Sequence, residues 1–138
     1  MSREGYSHFK HFLITSASPS VTHVQINRPS KLNAFYEPMW IEFGQIFDQL
    51  SHDSDVRAIV LSGAGEKAFS AGLDVKAVSK EGRFTKKGDV ARLAVAFRRH
   101  VHEFQQCIAS VERCEKRMFA SMLNLRRHEI DHLIAVIC

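Results

Sequence analysis

The sequence predicts a mixed α/β domain, and three patterns lead to this prediction. Apolar and polar residues alternate over residues 21–27, which is typical of a half-buried strand. Apolar residues recur at steps of three and four over residues 40–50 and 90–111, which is typical of amphipathic helices. Between these helices, Val56 to Leu61 is almost entirely apolar and predicts a buried strand of an α/β unit.

The composition is that of one ordinary globular domain. The chain has 138 residues, of which 45% are hydrophobic and 25% charged. No apolar run approaches the ~20 residues that a membrane-spanning helix needs, so we expect no membrane association. The net charge of +4 is modest. Since the basic segments lack interleaved aromatic residues, we expect no nucleic-acid partner.

The chain ends and the cysteines indicate an intracellular protein. Residues 1–10 contain no apolar signal core and carry Glu4, so we expect no targeting signal. The last four residues form neither a peroxisomal signal nor a prenylation site. The odd number of cysteines favours reduced, small buried residues over a disulfide framework. They are Cys107, Cys114 and Cys138.

The first elements are predicted to be a hairpin followed by a helix. Phe12–Thr15 and Val21–Asn27 are the two strands, and the segment between them, with Pro19, supplies the turn. Pro38 is typical of the first turn of a helix. The apolar residues that then recur at helical spacing are Trp40, Phe43, Ile46, Phe47 and Leu50.

A second, longer helix is predicted to begin after Asp89, which can cap it. Lys80–Gly88, just before it, is polar and is interpreted as a surface loop. The apolar stripe of this helix is interpreted as core packing, and its size predicts a face built to be covered. Its members are Val90, Ala94, Phe97, Val101, Phe104, Ile108 and Val111. After Lys116 the periodicity is weak, and only Leu133–Ile137 is strongly apolar.

Two short motifs are interpreted as chance matches. Gly63–Ala68 fits the G-x-G-x-x-A dinucleotide fingerprint, but a third glycine, Gly72, follows where the fingerprint's helix would run. His128–His132 fits the H-E-x-x-H zinc motif, but the residues after it contain no His, Asp or Glu as a third ligand. We therefore expect neither a nucleotide cofactor nor a metal.

The segment Ala68–Val75 is the most informative for function. Its small residues permit close approach of a ligand to the backbone. A glycine just before a helix start, here Gly72, leaves the next N–H groups without helical partners, and such donors can bind a carbonyl oxygen. The segment therefore indicates a carbonyl or anion site, with an ordinary loop as the alternative.

Several motifs in order resemble the crotonase (enoyl-CoA hydratase/isomerase) superfamily over residues 9–116. They are Asn27–Ala34, the tryptophan-bearing helix, the apolar strand and Ala68–Val75. Ser70–Val75 and Asp89–Arg92 most resemble Δ3,5-Δ2,4-dienoyl-CoA isomerases, while the wider pattern fits a hydratase equally. The resemblance implies a crotonase-type spiral of ββα units, truncated after the first half. It also implies a fatty acyl-CoA substrate in β-oxidation, no cofactor, a homotrimer or hexamer, and a peroxisomal or mitochondrial location.

The resemblance also implies the site residues. The backbone N–H of Leu73 corresponds to the family's first oxyanion donor. Lys31 and Leu32 lie in the CoA-contacting turn, where Lys31 either meets a CoA phosphate or stays solvated. The residues implied to line the CoA thioester and adenine pocket through their backbone are Ala71, Gly72 and Asp74.

The resemblance stops after Lys116, which divides the chain into residues 1–116 and a divergent tail, 117–138. The family's second oxyanion donor and its acid/base carboxylates cannot be assigned to any residue of this chain. The alternative to an isomerase is therefore a catalytically incomplete fragment that binds only CoA or a homologous subunit.

Overall fold

The computed structural model describes residues 5–80 and 89–121. The strands are β1 (Phe12–Ser18), β2 (Val21–Ile26), β3 (Ala58–Gly63) and β4 (Arg117–Ala120). The helices are α1 (Glu37–His52), α2 (Val75–Lys80) and α3 (Val90–Arg113), and a 3-10 turn spans Pro29–Lys31. Most of the predicted loop before Asp89, the H-E-x-x-H match and the apolar run Leu133–Ile137 lie outside the described residues.

The four strands form one sheet in the order β1-β2-β3-β4. β1 and β2 form the predicted antiparallel hairpin, whereas β2, β3 and β4 run parallel. Parallel neighbours need a crossover, which α1 supplies between β2 and β3, and α2 and α3 between β3 and β4. The segments that follow β2 and β3 therefore leave the same edge of the sheet.

Helix α1 carries the main core, as its periodicity predicts. Its apolar face packs against one face of the sheet, and Pro38 lies in its first turn. Trp40 is buried as well, with its ring 4.6 Å from that of Phe104 on α3. The buried residues that α1 and the sheet bring together include Phe43, Ile46, Phe47, Leu50, Phe12, Ile14, Val24, Ile26, Ile59 and Leu61.

The prediction that β2 is half-buried is wrong, because both of its faces are covered. Thr22 and His23 are buried along with the apolar residues of the strand. β2 is a central strand between β1 and β3, and Val21 belongs to a second apolar cluster on the face opposite α1. His23 Nε2 lies 2.8 Å from the hydroxyl of Ser62, and burial lowers the pKa of the His23 imidazole.

Helix α3 begins where predicted but does not pack along its whole stripe. Asp89 caps it by accepting a hydrogen bond from the Ala91 N–H at 3.2 Å. At the other end, Val111 packs against the main core. Val90 and Phe97, by contrast, are 79% and 49% exposed. The interpretation as core packing therefore fails for the first half of α3.

The segment after α3 is more regular than its weak periodicity indicates. Arg117–Ala120 forms β4, which pairs with β3, and the Ser121 N–H donates to Leu61 O at 2.8 Å. Strand pairing is decided by the neighbouring strand and not by local periodicity alone. The domain boundary predicted after Lys116 stays a prediction, but the first residues beyond it belong to the sheet.

The cysteines of the described region are free thiols. Cys107 and Cys114 are half-buried, so the expectation of buried residues is only partly met. Burial raises the pKa of the Cys107 thiol, and the carboxylates of Asp48 and Glu103 add to this effect. Cys138 lies outside the described residues. No helix in the described part of the chain has the length and apolar character to cross a membrane.

Candidate functional site

Two segments meet beyond the end of the sheet and form the candidate site. Residues 28–36 follow β2, and residues 64–74 follow β3. Phe35 bridges Leu73 in parallel: the Phe35 N–H donates to Gly72 O at 2.7 Å, and the Asp74 N–H donates to Phe35 O at 2.7 Å. The two segments thus continue the parallel pairing of β2 and β3 outside the main sheet.

The N–H of Leu73 differs from those of its neighbours. The Ala71 N–H donates to Leu32 O at 2.9 Å, and the Gly72 N–H donates to Ser70 Oγ at 3.1 Å. Among residues 5–80 and 89–121, no acceptor takes the N–H of Leu73. Leu73 is 46% exposed. Its amide is therefore unbonded within the described part of the chain, while the adjacent amides stabilise the loop.

Gly72 adds open space beside this donor. Its φ of +85° lies in the left-handed region, which glycine enters at little cost. A Cβ built on Gly72 would meet no atom within 4 Å. The glycine therefore serves the backbone turn, and the unfilled space lets a ligand approach the main chain next to Leu73.

Asn33 holds the two segments together from beneath. It is fully buried, and its Nδ2 donates to Ala64 O at 2.8 Å and to Ala68 O at 2.9 Å. Its Oδ1 accepts the backbone N–H of Arg28 at 3.0 Å. The side chain therefore satisfies backbone groups of residues 28–36 and 64–74 that have no partner in the hydrogen-bond ladder of the sheet. Sequence analysis missed this role. The available signal was an asparagine in the turn after β2, since asparagine tolerates the positive φ of 55° found here.

Ser70 adds hydrogen bonds closer to Leu73, and we call the side chains of Asn33 and Ser70 together the clamp. Its hydroxyl donates to Asn33 O at 2.9 Å and accepts the N–H of Gly72 at 3.1 Å. The end of β3 also comes very close to the segment, since a Cβ on Gly63 would lie 2.5 Å from Phe69 O. Hydrogen bonds and steric fit together leave the segment before Leu73 little freedom.

Asp74 is bound within the protein by its side chain. Arg28 Nη1 donates to Asp74 Oδ2 at 2.9 Å, and Asp74 Oδ1 accepts the N–H of Ala77 at 3.1 Å, at the start of α2. The pKa of the Asp74 carboxyl is lowered, first by the bond from Ala77 and then by Arg28, with a smaller effect from the charge of Lys31. The carboxylate is thus a helix cap and an ion-pair partner.

The structure brings the predicted site residues to this one place. Leu32 is 43% exposed, has a φ of +51° and accepts a bond from Ala71, while Lys31 is exposed in the turn before it. The amides of the residues predicted to line the pocket are used internally, and the carbonyl of Gly72 accepts the Phe35 N–H. These residues are Ala71, Gly72 and Asp74.

The two motifs interpreted as chance gain no support. β3 ends at Gly63 and the next helix begins at Val75, so no helix opens at the second glycine of the dinucleotide-like motif. Within the part of the chain that the structure describes, no three His, Cys, Asp or Glu residues cluster as a metal site. The H-E-x-x-H match, residues 128–132, lies outside that part.

Comparison with known sequences finds relatives over most of the chain. A family model described as "Enoyl-CoA hydratase/isomerase" matches residues 16–112. The chain is 39% identical over 109 residues to the mitochondrial Delta(3,5)-Delta(2,4)-dienoyl-CoA isomerase of Homo sapiens, covering 79% of the chain and 33% of that protein. It is 38% identical over 104 residues to the peroxisomal isomerase of that name from Arabidopsis thaliana, covering 75% of the chain and 37% of that protein.

Solved structures give the same relationship at the level of the fold. The chain superposes on the crystal structure of an enoyl-CoA hydratase from Bacillus anthracis with a TM-score of 0.66 and 24% identity. The superposition covers 83% of this chain and 40% of that one. The described residues thus have the fold of part of a crotonase subunit, and the chain spans about a third of the length of the curated relatives it matches.

Proposed function

Since the chain belongs to the enoyl-CoA hydratase/isomerase family, we propose that residues 28–36 and 64–74 bind the thioester end of an acyl-CoA. In this proposal the Leu73 N–H donates to the thioester carbonyl oxygen. The observation that carries it is the contrast between this amide, without an acceptor in the described region, and the bonded amides of Ala71, Gly72 and Asp74.

Such a donor suits chemistry at the carbon next to a thioester. Removing a proton there moves negative charge onto the carbonyl oxygen, and a fixed donor stabilises that charge more than it stabilises the ground state. One donor of this kind is worth about 10²–10³ in kcat. The clamp formed by Asn33 and Ser70 supports this role, because a donor held in place needs little reorganisation during the reaction.

The CoA part would lie along the exposed turn before Asn33. Leu32 offers apolar surface, and Lys31 offers a positive charge for a CoA phosphate. Ala71, Gly72 and Asp74 would contact the ligand through their main chain. Asp74 is excluded from side-chain contact as long as its carboxylate binds Arg28 and Ala77.

The proposed reaction is isomerisation of a dienoyl-CoA in fatty-acid β-oxidation, in an intracellular setting. The relatives' names support the isomerisation and the setting, since both are named dienoyl-CoA isomerases, one mitochondrial and the other peroxisomal. A homotrimer or hexamer and the absence of a cofactor are part of the same proposal. Hydration of an enoyl-CoA is the related alternative, since the Bacillus anthracis protein with the same fold is named an enoyl-CoA hydratase.

A second candidate is binding without turnover, either of CoA or of a homologous subunit. It is supported by the described residues, among which we assign an oxyanion donor, the Leu73 N–H, but no acid/base carboxylate. Incubation with a 3,5-dienoyl-CoA separates the two candidates. Formation of the 2,4-dienoyl product, whose diene is conjugated with the thioester carbonyl, supports the isomerase, and saturable binding without product supports the second candidate.

The role of Leu73 itself can be tested by removing its N–H. Leu73→Pro deletes the donor without breaking any hydrogen bond seen in the described region, and Leu73→Ala is the matched control that keeps it. We expect the ¹³C-labelled carbonyl of bound octanoyl-CoA to absorb at lower infrared frequency than in water with the wild type and Leu73→Ala. A folded Leu73→Pro that gives the same lowering would contradict the proposal.

A further inference from the structure

Arg28 connects the two segments of the candidate site. Its Nη1 donates to Ala34 O at 2.8 Å and to Asp74 Oδ2 at 2.9 Å. Ala34 precedes Phe35, and Asp74 follows Leu73, so these two contacts lie on opposite sides of the Phe35–Leu73 bridge. One guanidinium nitrogen therefore hydrogen-bonds both segments, with one contact on each side of the bridge. We call this arrangement the brace.

The guanidinium is itself held in place. Its central carbon lies 4.5 Å from the centre of the Tyr36 ring, within the range of a cation–π contact. Tyr36 Oη is 2.7 Å from His11 Nε2, and His11 Nδ1 is 3.0 Å from Glu42 Oε1 on α1. The brace is therefore continuous with the helix that carries the core, which makes it a rigid support.

Asp74 passes this constraint to Leu73. The Asp74 N–H is fixed to Phe35 O, and its carboxylate is fixed by Arg28 on one side and Ala77 on the other. The peptide group that contains the Leu73 carbonyl joins Leu73 directly to Asp74. With Gly72 on its other side held by Ser70 and Phe35, the plane of the Leu73 amide has little freedom to turn.

We propose that Arg28 is a positioning residue of the carbonyl-binding site, which sets the direction of the Leu73 N–H through Asp74. The inference rests on the proposed function, in that Leu73 must be a carbonyl donor. A lysine could replace the charge of Arg28, but its ammonium has no planar face to stack on Tyr36 and no rigid fork to direct its hydrogen bonds. Arg28 is mostly buried, at 20% side-chain exposure, which favours a fixed geometry.

The test uses the ¹³C-carbonyl band of bound octanoyl-CoA, because a purely structural role would leave this band unchanged in any variant that still folds and binds. The variants are Arg28→Met, which removes both bonds, and Arg28→Lys, which keeps the charge. Arg98→Met, at an exposed position of α3, is the matched control. Circular dichroism and the urea unfolding midpoint establish folding, and a titration establishes that the ligand is bound.

We expect Arg28→Met to lose about half or more of the frequency lowering, because hydrogen-bond strength falls steeply with misalignment. Arg28→Lys should recover part of it, and Arg98→Met should match the wild type. A folded, ligand-bound Arg28→Met with the full lowering would overturn the inference. If the wild type itself gives no lowering, the proposed function fails first.

Arg28→Met could also fail to fold, and Asp74→Ser covers that case. Serine keeps a side-chain oxygen that can cap α2 but removes the carboxylate that Arg28 binds. We expect the same loss of frequency lowering as in Arg28→Met. Full lowering in folded Asp74→Ser would show that the ion pair does not direct the Leu73 donor, and the inference would be wrong.

Discussion

Gly44 of α1 lies against Cys107 of α3 with no room for a side chain between them. A Cβ built on Gly44 would lie 3.2 Å from the Cys107 Cα and 3.3 Å from its Sγ. The two helices therefore approach each other through a glycine, and the close contact involves backbone atoms that cannot rotate away. This contact fixes how α3 is placed beside α1.

Gly44→Val should destabilise the protein by about 1–3 kcal/mol, the usual cost of overpacking a close contact. Gln45→Val, at the exposed neighbouring position of α1, is the matched control and should change stability by only a few tenths of a kcal/mol. Urea unfolding monitored by circular dichroism measures both. Equal effects of the two substitutions would show that α1 and α3 can separate at this point without cost.

Asn33→Gly should cost about 3 kcal/mol or more. The substitution leaves the carbonyls of Ala64 and Ala68 and the N–H of Arg28 without their partner, and each buried unsatisfied group costs about 1–3 kcal/mol. Asn33→Ala should cost about 1 kcal/mol more than Asn33→Gly, because only the alanine is strained at a φ of +55°. Asn27→Ala, at an exposed position, should be nearly neutral, and a similar loss there would argue against the clamp.

Substitution by alanine should destabilise the protein at both Gly63 and Gly72, but for different reasons. At Gly63 the new Cβ would lie 2.5 Å from Phe69 O and 2.8 Å from Ala68 O, so we expect a loss of about 3 kcal/mol or more, above the range for an ordinary extra methyl group. At Gly72 there is space, and only the φ of +85° is unfavourable, which costs about 1–2 kcal/mol. Unfolding midpoints that rank the two in the opposite order would contradict this assignment.

His23 should make the protein less stable in mild acid. Burial lowers the pKa of the folded imidazole below its ordinary value of 6.5, so the unfolded chain binds a proton first as the pH falls. The stability linked to His23 is therefore complete above pH 6.5 and is lost as the pH falls from there toward the folded pKa. Within that window the slope is at most about 1.4 kcal/mol per pH unit.

The measurement is a series of urea unfolding curves at stepped pH values for the wild type and His23→Gln. The slope below pH 6.5 should be smaller in His23→Gln than in the wild type, because the substitution removes the buried imidazole. If His23→Gln keeps the full slope, other groups cause the acid sensitivity, and the buried contact with Ser62 has no part in it.

The elements that local chemistry specifies could be predicted from the sequence. The period of α1, the apolar run of β3 and the caps at Pro38 and Asp89 each depend on residues close together in the chain, and the structure has them within a few residues of the predicted bounds. The order of motifs also indicated the family, because Asn27–Ala34 and Ala68–Val75 are recognisable without knowing how they meet.

Tertiary contacts decided the rest. The burial of Thr22 and His23 follows from the central place of β2, and β4 exists because β3 offers it an edge, so neither is encoded by local periodicity. Leu73 could be predicted as a site residue only from the resemblance to the enoyl-CoA hydratase/isomerase family. Among the described residues its amide has no acceptor, because Phe35, Leu32 and Ser70 bond to the groups around it. Two of these partners, Leu32 and Phe35, are distant from Leu73 along the chain. Sequence alone determines which residues can form such bonds, while only the packing of the two segments decides which donor remains free.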